Sequence, residues 1–232
     1  MIPLYLKTAD FQEPGDPLYY LVASNGVFLV KNNALFRSVS AAPGIAGLAS
    51  HEPETTLKFP RFPGNLMEQV YGFFDFVFRK WEGEAVAILF YSQQSGEFRV
   101  GIPPQKIFRY RGLRDWHTEG RVEYGYLPRP ESFLKIGDIH SHPDTSAFFS
   151  RTDDYDDSED GLHIVMGHLH RPPPDLRVSF VAGGTRFRLK TEDVVESFAK
   201  PLPPPAEWVS QVVCEYEDAG KPVRRSSWSS HA

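Results

Sequence analysis

Residues 133–143 read FLKIGDIHSHP and decide the fold of this chain of 232 residues. The apolar run that begins at Phe133 predicts a strand that delivers His140 and His142 at its far end. Because residues i and i+2 of a strand face the same side, both imidazoles can point at one spot. Pro143 cannot donate a ladder hydrogen bond, so it ends the strand and turns the chain.

A carboxylate follows the two histidines at a suitable separation. Six residues after Pro143 the sequence reads SRTD, residues 150–153, and the ten residues between His142 and Asp153 suffice to bring the chain back. Two imidazole nitrogens and one carboxylate oxygen form a three-ligand zinc site whose fourth position stays open for water. The pattern predicts one catalytic Zn²⁺ per chain, held by His140, His142 and Asp153, with the pKa of its water lowered toward about 7.

Such a site also needs groups that move protons and stabilise charge. Glu84 lies at the junction between a predicted helix and a predicted strand. It is the candidate to accept a proton from water and to pass it to the leaving amine. Glu82, two residues earlier, is the alternative. Ser150 is placed to donate a hydrogen bond to the developing oxyanion.

Together these residues resemble the motif of the JAB/MPN (JAMM) metalloprotease family. That motif is a Glu on one strand, then His-x-His-Pro, six residues and Ser-x-x-Asp. The chain matches every fixed position of the second half, namely His140, His142, Pro143, Ser150 and Asp153. The stretch that begins at Glu84 resembles the first half, with Ala87 at a position where the family commonly has glycine.

The resemblance covers residues 64–190 and implies both a fold and an activity. The implied fold is α/β (α+β), a mixed curved β-sheet flanked by helices, with JAB/MPN-like (cytidine-deaminase-like) layering. The implied activity is that of a zinc isopeptidase or peptidase that cleaves after the C-terminus of ubiquitin or a ubiquitin-like protein. The compact loops and the N-terminal extension resemble bacterial members, some of which process conjugates in antiviral ubiquitin-like systems.

Two other functions are compatible with the same resemblance. Many members of the superfamily lack the metal and serve as interaction scaffolds, although the intact ligand pattern here argues against that. A metallopeptidase of this type can also act on a sulfur-carrier adduct or on a small peptide.

The rest of the chain predicts three regions. An Asn25-Gly26 turn between strand-like runs predicts a small β element within residues 1–63. Residues 64–200 form the JAB/MPN-like metalloprotease domain. The Pro-rich start and Ser-rich end of residues 201–232 predict a flexible tail.

The JAB/MPN-like region opens with a helix that Asn65 is expected to cap. Glu68 would complete a capping box, and Gly83 would be the C-terminal glycine. Buried aromatic residues are expected at Phe73 and Phe74. Further strands are predicted at residues 85–91, 97–102, 120–127, 133–140, 162–169, 177–182 and 185–189, with a short helix at 191–199.

Composition and charge exclude several classes of function. The net charge of -5 and the pI of about 5.9 give no electrostatic reason to expect nucleic acid. A single cysteine, Cys214, excludes an intrachain disulfide and a Cys-based zinc site. No stretch resembles a secretory leader or reaches the ~20 apolar residues of a membrane span. The sequence therefore predicts a cytoplasmic protein without a membrane partner.

Four further residues are candidates for substrate binding. Phe148 and Phe149 lie between the two ligand-bearing segments and could line a cleft for an extended peptide. Asp156 and Asp157 belong to an acidic run that could attract a basic segment of the substrate. A second pair, His168 and His170, has no third ligand at a suitable spacing and is expected in an exposed loop, while His163 is expected to be a core histidine with its polar atoms satisfied.

Overall fold

The computed structural model describes residues 2–111, 116–149 and 159–218. The chain divides into two compact units, Met1–Glu54 and Thr55–Ala232. Both units contain sheets, and the second also contains a long helix, which confirms the mixed α/β class expected from the sequence. None of the helices in these described ranges is long and apolar enough to cross a membrane.

The first unit is a four-stranded sheet. Its strands are β1 (Leu4–Leu6), β2 (Leu18–Ala23), β3 (Gly26–Asn32) and β4 (Arg37–Ala41), in the order β1-β2-β3-β4. β1 and β2 are parallel, and the other pairs are antiparallel. Tyr19, Leu21 and Val30 form its small core. The predicted hairpin is confirmed, with Gly26 as the first residue of β3.

The second unit contains the remaining helices and strands. The helices are α1 (Gly64–Trp81), α2 (Thr191–Val194) and α3 (Ala206–Val209). The strands are β5 (Val86–Tyr91), β6 (Phe98–Gly101), β7 (Gln105–Arg111), β8 (Trp116–Tyr124), β9 (Leu134–His142), β10 (Gly161–Gly167), β11 (Asp175–Ala182), β12 (Thr185–Leu189) and β13 (Val212–Asp218). They form a six-stranded sheet in the order β12-β11-β10-β9-β5-β6 and a three-stranded sheet in the order β13-β7-β8.

Side-chain alternation gives the six-stranded sheet two different faces. On one face Ala87, Leu89, Ile139 and Ile164 pack in the main core with the apolar side of α1. Each fully buried aliphatic or aromatic side chain of this kind contributes about 1.5–3 kcal/mol to folding. Phe73 and Phe74 of α1 belong to the same core, as predicted. The opposite face carries β5 residues such as Val86 and the histidines of β9.

The start of α1 differs from the predicted capping box. Pro63 is the N-cap residue, no side chain caps it locally, and Asn65 lies inside the helix. The Gly64 N–H donates instead to the Glu196 carboxylate at 3.2 Å. Glu68 accepts from the Ala199 N–H at 3.1 Å. A segment that is distant in sequence therefore supplies the acceptor for the Gly64 N–H and donates to Glu68, which a local capping rule does not anticipate.

The end of α1 also differs from prediction. The residue in the left-handed conformation is Glu82, with φ 55°, and its N–H donates to Phe78 O at 2.7 Å. Gly83 is buried, and a Cβ there would overlap the Ile107 side chain. The glycine is thus required by the close approach of β7 and not by the helix cap.

Part of the predicted tail is regular structure. Residues 206–209 form α3, and residues 212–218 form β13, which pairs in parallel with β7 from Val212↔Gln105 onward. The Leu202 N–H donates to Glu68 O at 3.0 Å, so the Pro-rich stretch lies on α1. The flexible extension expected from Pro201 is therefore wrong for these residues, because a Pro-rich start does not exclude long-range strand pairing. Residues 219–232 lie outside the described residues.

Candidate metal centre

The strand β9 carries both predicted histidine ligands at its C-terminal end. It lies inside the six-stranded sheet, antiparallel to β5 on one side and parallel to β10 on the other. Ile139 points into the main core, so the neighbouring positions His140 and His142 face the opposite side. The sequence prediction that this strand delivers two imidazoles to one face is consistent with this register.

The two imidazoles are adjacent, and one ring nitrogen of each is shielded from solvent. Their ring centroids are 5.0 Å apart with an interplanar angle of 54°. His142 is only 7% exposed, and His140 Nε2 and His142 Nδ1 are both out of contact with solvent. Neighbouring imidazoles are a donor set that suits zinc, so these two residues fit the predicted ion.

The strand register brings Glu84 level with His142. Val86 of β5 lies opposite His140, and the Ser141 N–H donates to Ala85 O at 3.1 Å, so the antiparallel order continues beyond the end of β5. Opposite residues of an antiparallel pair place their side chains on the same face. The half-buried Glu84 therefore belongs to the face that carries both histidines.

The alternative general base, Glu82, has a different environment. Its carboxylate Oε2 lies 2.6 Å from Arg109 Nη2, and its side chain is 62% exposed. It is also the left-handed residue that ends α1. An exposed carboxylate that is paired with a guanidinium is a poorer proton carrier than a half-buried one beside the histidines, which favours Glu84.

The loop that follows His142 is fixed by the end of β10. The Leu169 N–H donates to Pro143 O at 3.0 Å, and the His168 N–H donates to Thr145 O at 2.7 Å. A Cβ at Gly167 would overlap the loop backbone around Ala147. The close packing of this loop on a glycine fixes the chain at residues 145–147.

Both candidate aromatic residues of this loop contact the functional face. The Phe148 ring packs on His142 with 4.7 Å between centroids and an interplanar angle of 60°. The Arg186 guanidinium lies over the Phe149 ring at 4.6 Å, and Arg186 Nη1 donates to the buried Ser179 Oγ at 2.7 Å. The side chains predicted to line a cleft thus lie beside a predicted ligand and over the neighbouring strands.

The other predicted site residues lie outside the described residues. These are Ser150, Asp153, Asp156 and Asp157. Within residues 2–111, 116–149 and 159–218, no three His, Cys, Asp or Glu side chains are grouped as metal ligands. Of the predicted ligands and catalytic residues, the structure describes Glu84, His140 and His142.

The remaining histidines have other roles. His163 is buried, its Nδ1 lies 3.1 Å from Asp138 Oδ2, and its Nε2 lies 3.3 Å from Glu159 O. The expected burial of His163 is therefore confirmed. His168 follows β10 directly, and its Nδ1 lies 2.7 Å from Asp175 Oδ2. His170 is exposed in the same loop, as predicted.

Several residues that shape the centre carry no local signal in the sequence. Gln105 is a buried polar residue in a stretch for which no strand was predicted, and its side chain binds the backbone of β5. The Ser141 hydroxyl accepts from the Ala85 N–H at 3.0 Å. Gly167 and Arg186 act through neighbours that are distant in sequence. Only the pairing of strands reveals these contacts.

Comparison with known proteins agrees with the geometry. Residues 77–184 match the family model described as prokaryotic homologs of the JAB domain. The matched region runs from the end of α1 to the turn after β11, and it includes Glu84, both histidines and Asp153. No curated protein matches the chain significantly. Residues 77–184 are therefore similar to JAB domains of the prokaryotic type.

Proposed function

We propose that this JAB domain is a metallopeptidase in which His140, His142 and Asp153 hold one Zn²⁺. The observation that carries the proposal is the pair of adjacent imidazoles, each with one nitrogen shielded from solvent, with Glu84 on the same face of the sheet. This is the donor set and the acid–base group that metal-assisted hydrolysis of an amide needs.

Each residue has a distinct role in this proposal. The bound ion would lower the pKa of a water ligand toward about 7 and so make a nucleophile available at neutral pH. The Glu84 carboxylate accepts the proton of the attacking water and delivers it to the leaving amine nitrogen. Ser150 donates a hydrogen bond to the carbonyl oxygen as negative charge develops on it.

The proposed substrate is the C-terminal segment of ubiquitin or a ubiquitin-like protein, released from a conjugate or a precursor. The family resemblance supports this class, including the antiviral conjugation systems of bacteria. The Phe148 ring beside His142 restricts the space next to the centre, which suits small terminal residues such as glycine. The ubiquitin-like partner and the cytoplasmic location stay predictions.

The decisive experiment compares two neighbouring glutamates. A ubiquitin-like protein with a C-terminal extension is incubated with the zinc-loaded wild type, Glu84→Gln and Glu82→Gln, with and without a chelator. We expect Glu84→Gln to lower kcat about 10²- to 10⁴-fold, which is the usual contribution of a general base. Glu82→Gln is the matched control, and we expect it to stay within about twofold because an exposed ion pair contributes little.

The outcomes separate the competing functions. Cleavage that is abolished by the chelator and by Glu84→Gln supports the proposal. A zinc-loaded wild type that cleaves none of the ubiquitin-like fusions, sulfur-carrier adducts or small peptides would indicate a scaffold. Equal loss in both glutamate variants would refute the assignment of Glu84. Cleavage of a sulfur-carrier adduct or a small peptide alone would keep the chemistry but change the substrate class.

A further inference from the structure

The carboxamide of Gln105 takes the place of a strand partner for β5. Gln105 is 2% exposed, and its Oε1 accepts from the Val86 N–H at 2.9 Å while its Nε2 donates to Val86 O at 3.0 Å. The same Nε2 also donates to Pro103 O at 3.3 Å. One side chain therefore satisfies both backbone polar groups of Val86.

Val86 needs a side-chain partner because of the sequence that follows the neighbouring strand β6. β6 pairs with β5 from Tyr91↔Phe98 to Ile88↔Gly101, and continuing this register would bring Pro103 opposite Val86. A proline has no N–H and cannot donate to the Val86 carbonyl. Gln105 supplies the missing donor and an acceptor from the first residue of β7, so the edge of β5 is not left with unsatisfied groups.

On the side of β5 that faces β9, Ser141 binds the backbone of Ala85. The Ala85 N–H donates to Ser141 Oγ at 3.0 Å, and the Ser141 N–H donates to Ala85 O at 3.1 Å. All four backbone polar groups of Ala85 and Val86 are thus bound, two by Gln105 and two by Ser141. Glu84 is the next residue along the chain, so its Cα is tied directly to this fixed dipeptide.

We propose that Gln105 is a positioning residue that fixes Glu84 against His140 and His142. This inference rests on the proposed peptidase function, because it assigns Gln105 a role in placing the general base. Gln105 is itself anchored, since its N–H donates to Gln211 O at 2.8 Å between β7 and β13. Gln105 of the three-stranded sheet therefore holds Val86, the first residue of β5 in the six-stranded sheet.

The first test is Gln105→Leu, which removes all three side-chain hydrogen bonds of Gln105, including the two to Val86. We expect faster hydrogen exchange of the Val86 amide, which requires neither metal nor activity. We also expect kcat to fall about 10- to 100-fold, because misplacing a reacting group by about 1 Å has an effect of that size. The zinc content and KM should stay close to wild type, because neither the ligands nor the substrate contacts Gln105 in this scheme.

The second test uses Gln105→Glu as a pH-dependent rescue. A protonated glutamic acid can donate to Val86 O and accept from the Val86 N–H, whereas the ionised form cannot donate. Protonation is favoured as the pH falls, and burial raises the pKa of a carboxyl group. We therefore expect the ratio of kcat in Gln105→Glu to kcat in wild type to rise as the pH is lowered. The corresponding ratio for Gln105→Leu should stay flat.

Ser92→Ala is the matched control, at the opposite end of β5. Ser92 is 2% exposed, and its Oγ accepts from the Ser95 N–H at 3.3 Å. We expect a loss of stability without a change in kcat. An active wild type with unchanged kcat in Gln105→Leu, or pH profiles that coincide for the Leu and Glu variants, would overturn this inference alone. A zinc-loaded wild type without activity would overturn the proposed function as well.

Discussion

Phe148 is a described residue whose side chain lies directly beside the predicted centre. Its ring packs on His142 at 4.7 Å, and it remains 46% exposed. We expect Phe148→Ala to improve cleavage of a substrate with a bulky residue in place of the terminal glycine. Relative to the glycine substrate, kcat/KM should rise about tenfold, because one hydrophobic contact in a pocket is worth about 1–3 kcal/mol of discrimination.

The measurement is steady-state kinetics on two fusion proteins that differ only at that terminal residue. Tyr126→Ala is the control, since Tyr126 is an aromatic side chain that is 75% exposed. Its selectivity ratio should equal that of wild type. An unchanged ratio in Phe148→Ala, or the same change in both variants, contradicts the assignment of Phe148 to the substrate cleft.

The direction of a single side chain was predictable where spacing along one strand determines which face it lies on. His140 and His142 face one side because they are two residues apart on β9. The sequence favoured Glu84 over Glu82 as the general base, and that choice stays a prediction; the ion pair between Glu82 and Arg109 adds a reason for it that the sequence does not show. The role of Gln105 could not be predicted from sequence either, because its side chain binds Val86 on another strand.

Gly72 tests how the C-terminal segment packs on α1. Alanine normally stabilises a helix interior by about 0.5–1 kcal/mol relative to glycine. A Cβ at Gly72, however, would overlap the Leu202 backbone. We therefore expect Gly72→Ala to lower the free energy of unfolding by about 1–3 kcal/mol, as overpacking does. Denaturant unfolding measures this difference.

Asn65→Ala is the control in the same helix. Asn65 is exposed and lies within α1, where it caps nothing. Its replacement should leave the free energy of unfolding unchanged or slightly higher, because alanine has the higher helix propensity. If Asn65→Ala lowers the free energy of unfolding by about 1 kcal/mol, Asn65 acts as the N-cap residue after all. If Gly72→Ala raises the free energy of unfolding, the packing of Leu202 on Gly72 is contradicted.

Elements with a strong local pattern were predicted, and elements that depend on distant partners were not. The hairpin β2–β3, the apolar strands β5 and β9, and the alternating strand β12 all followed from periodicity. β7 and β13 were missed, because charged residues interrupt β7 and a Pro-rich stretch precedes β13. Their parallel pairing, Cys214↔Ile107 among the partners, spans about half of the chain.

At the scale of the whole molecule, one motif was enough to predict the fold class and the similarity of residues 77–184 to the JAB domain. The sheet is mixed at the strand that carries the histidines, since β9 is antiparallel to β5 and parallel to β10. The division into the units Met1–Glu54 and Thr55–Ala232 is a property of packing. The boundaries proposed at residues 63 and 200, like the partner protein, stay predictions.

The central claim is that the His-x-His pair of β9 holds a zinc ion. The most direct measurement is the zinc content of purified wild type, His142→Ala and His170→Ala after expression with zinc. His170 belongs to the second His-x-His pair and is exposed. The account predicts one zinc ion per chain in wild type and His170→Ala, and little or none in His142→Ala. A metal-free wild type, or equal zinc in His142→Ala and wild type, would contradict it.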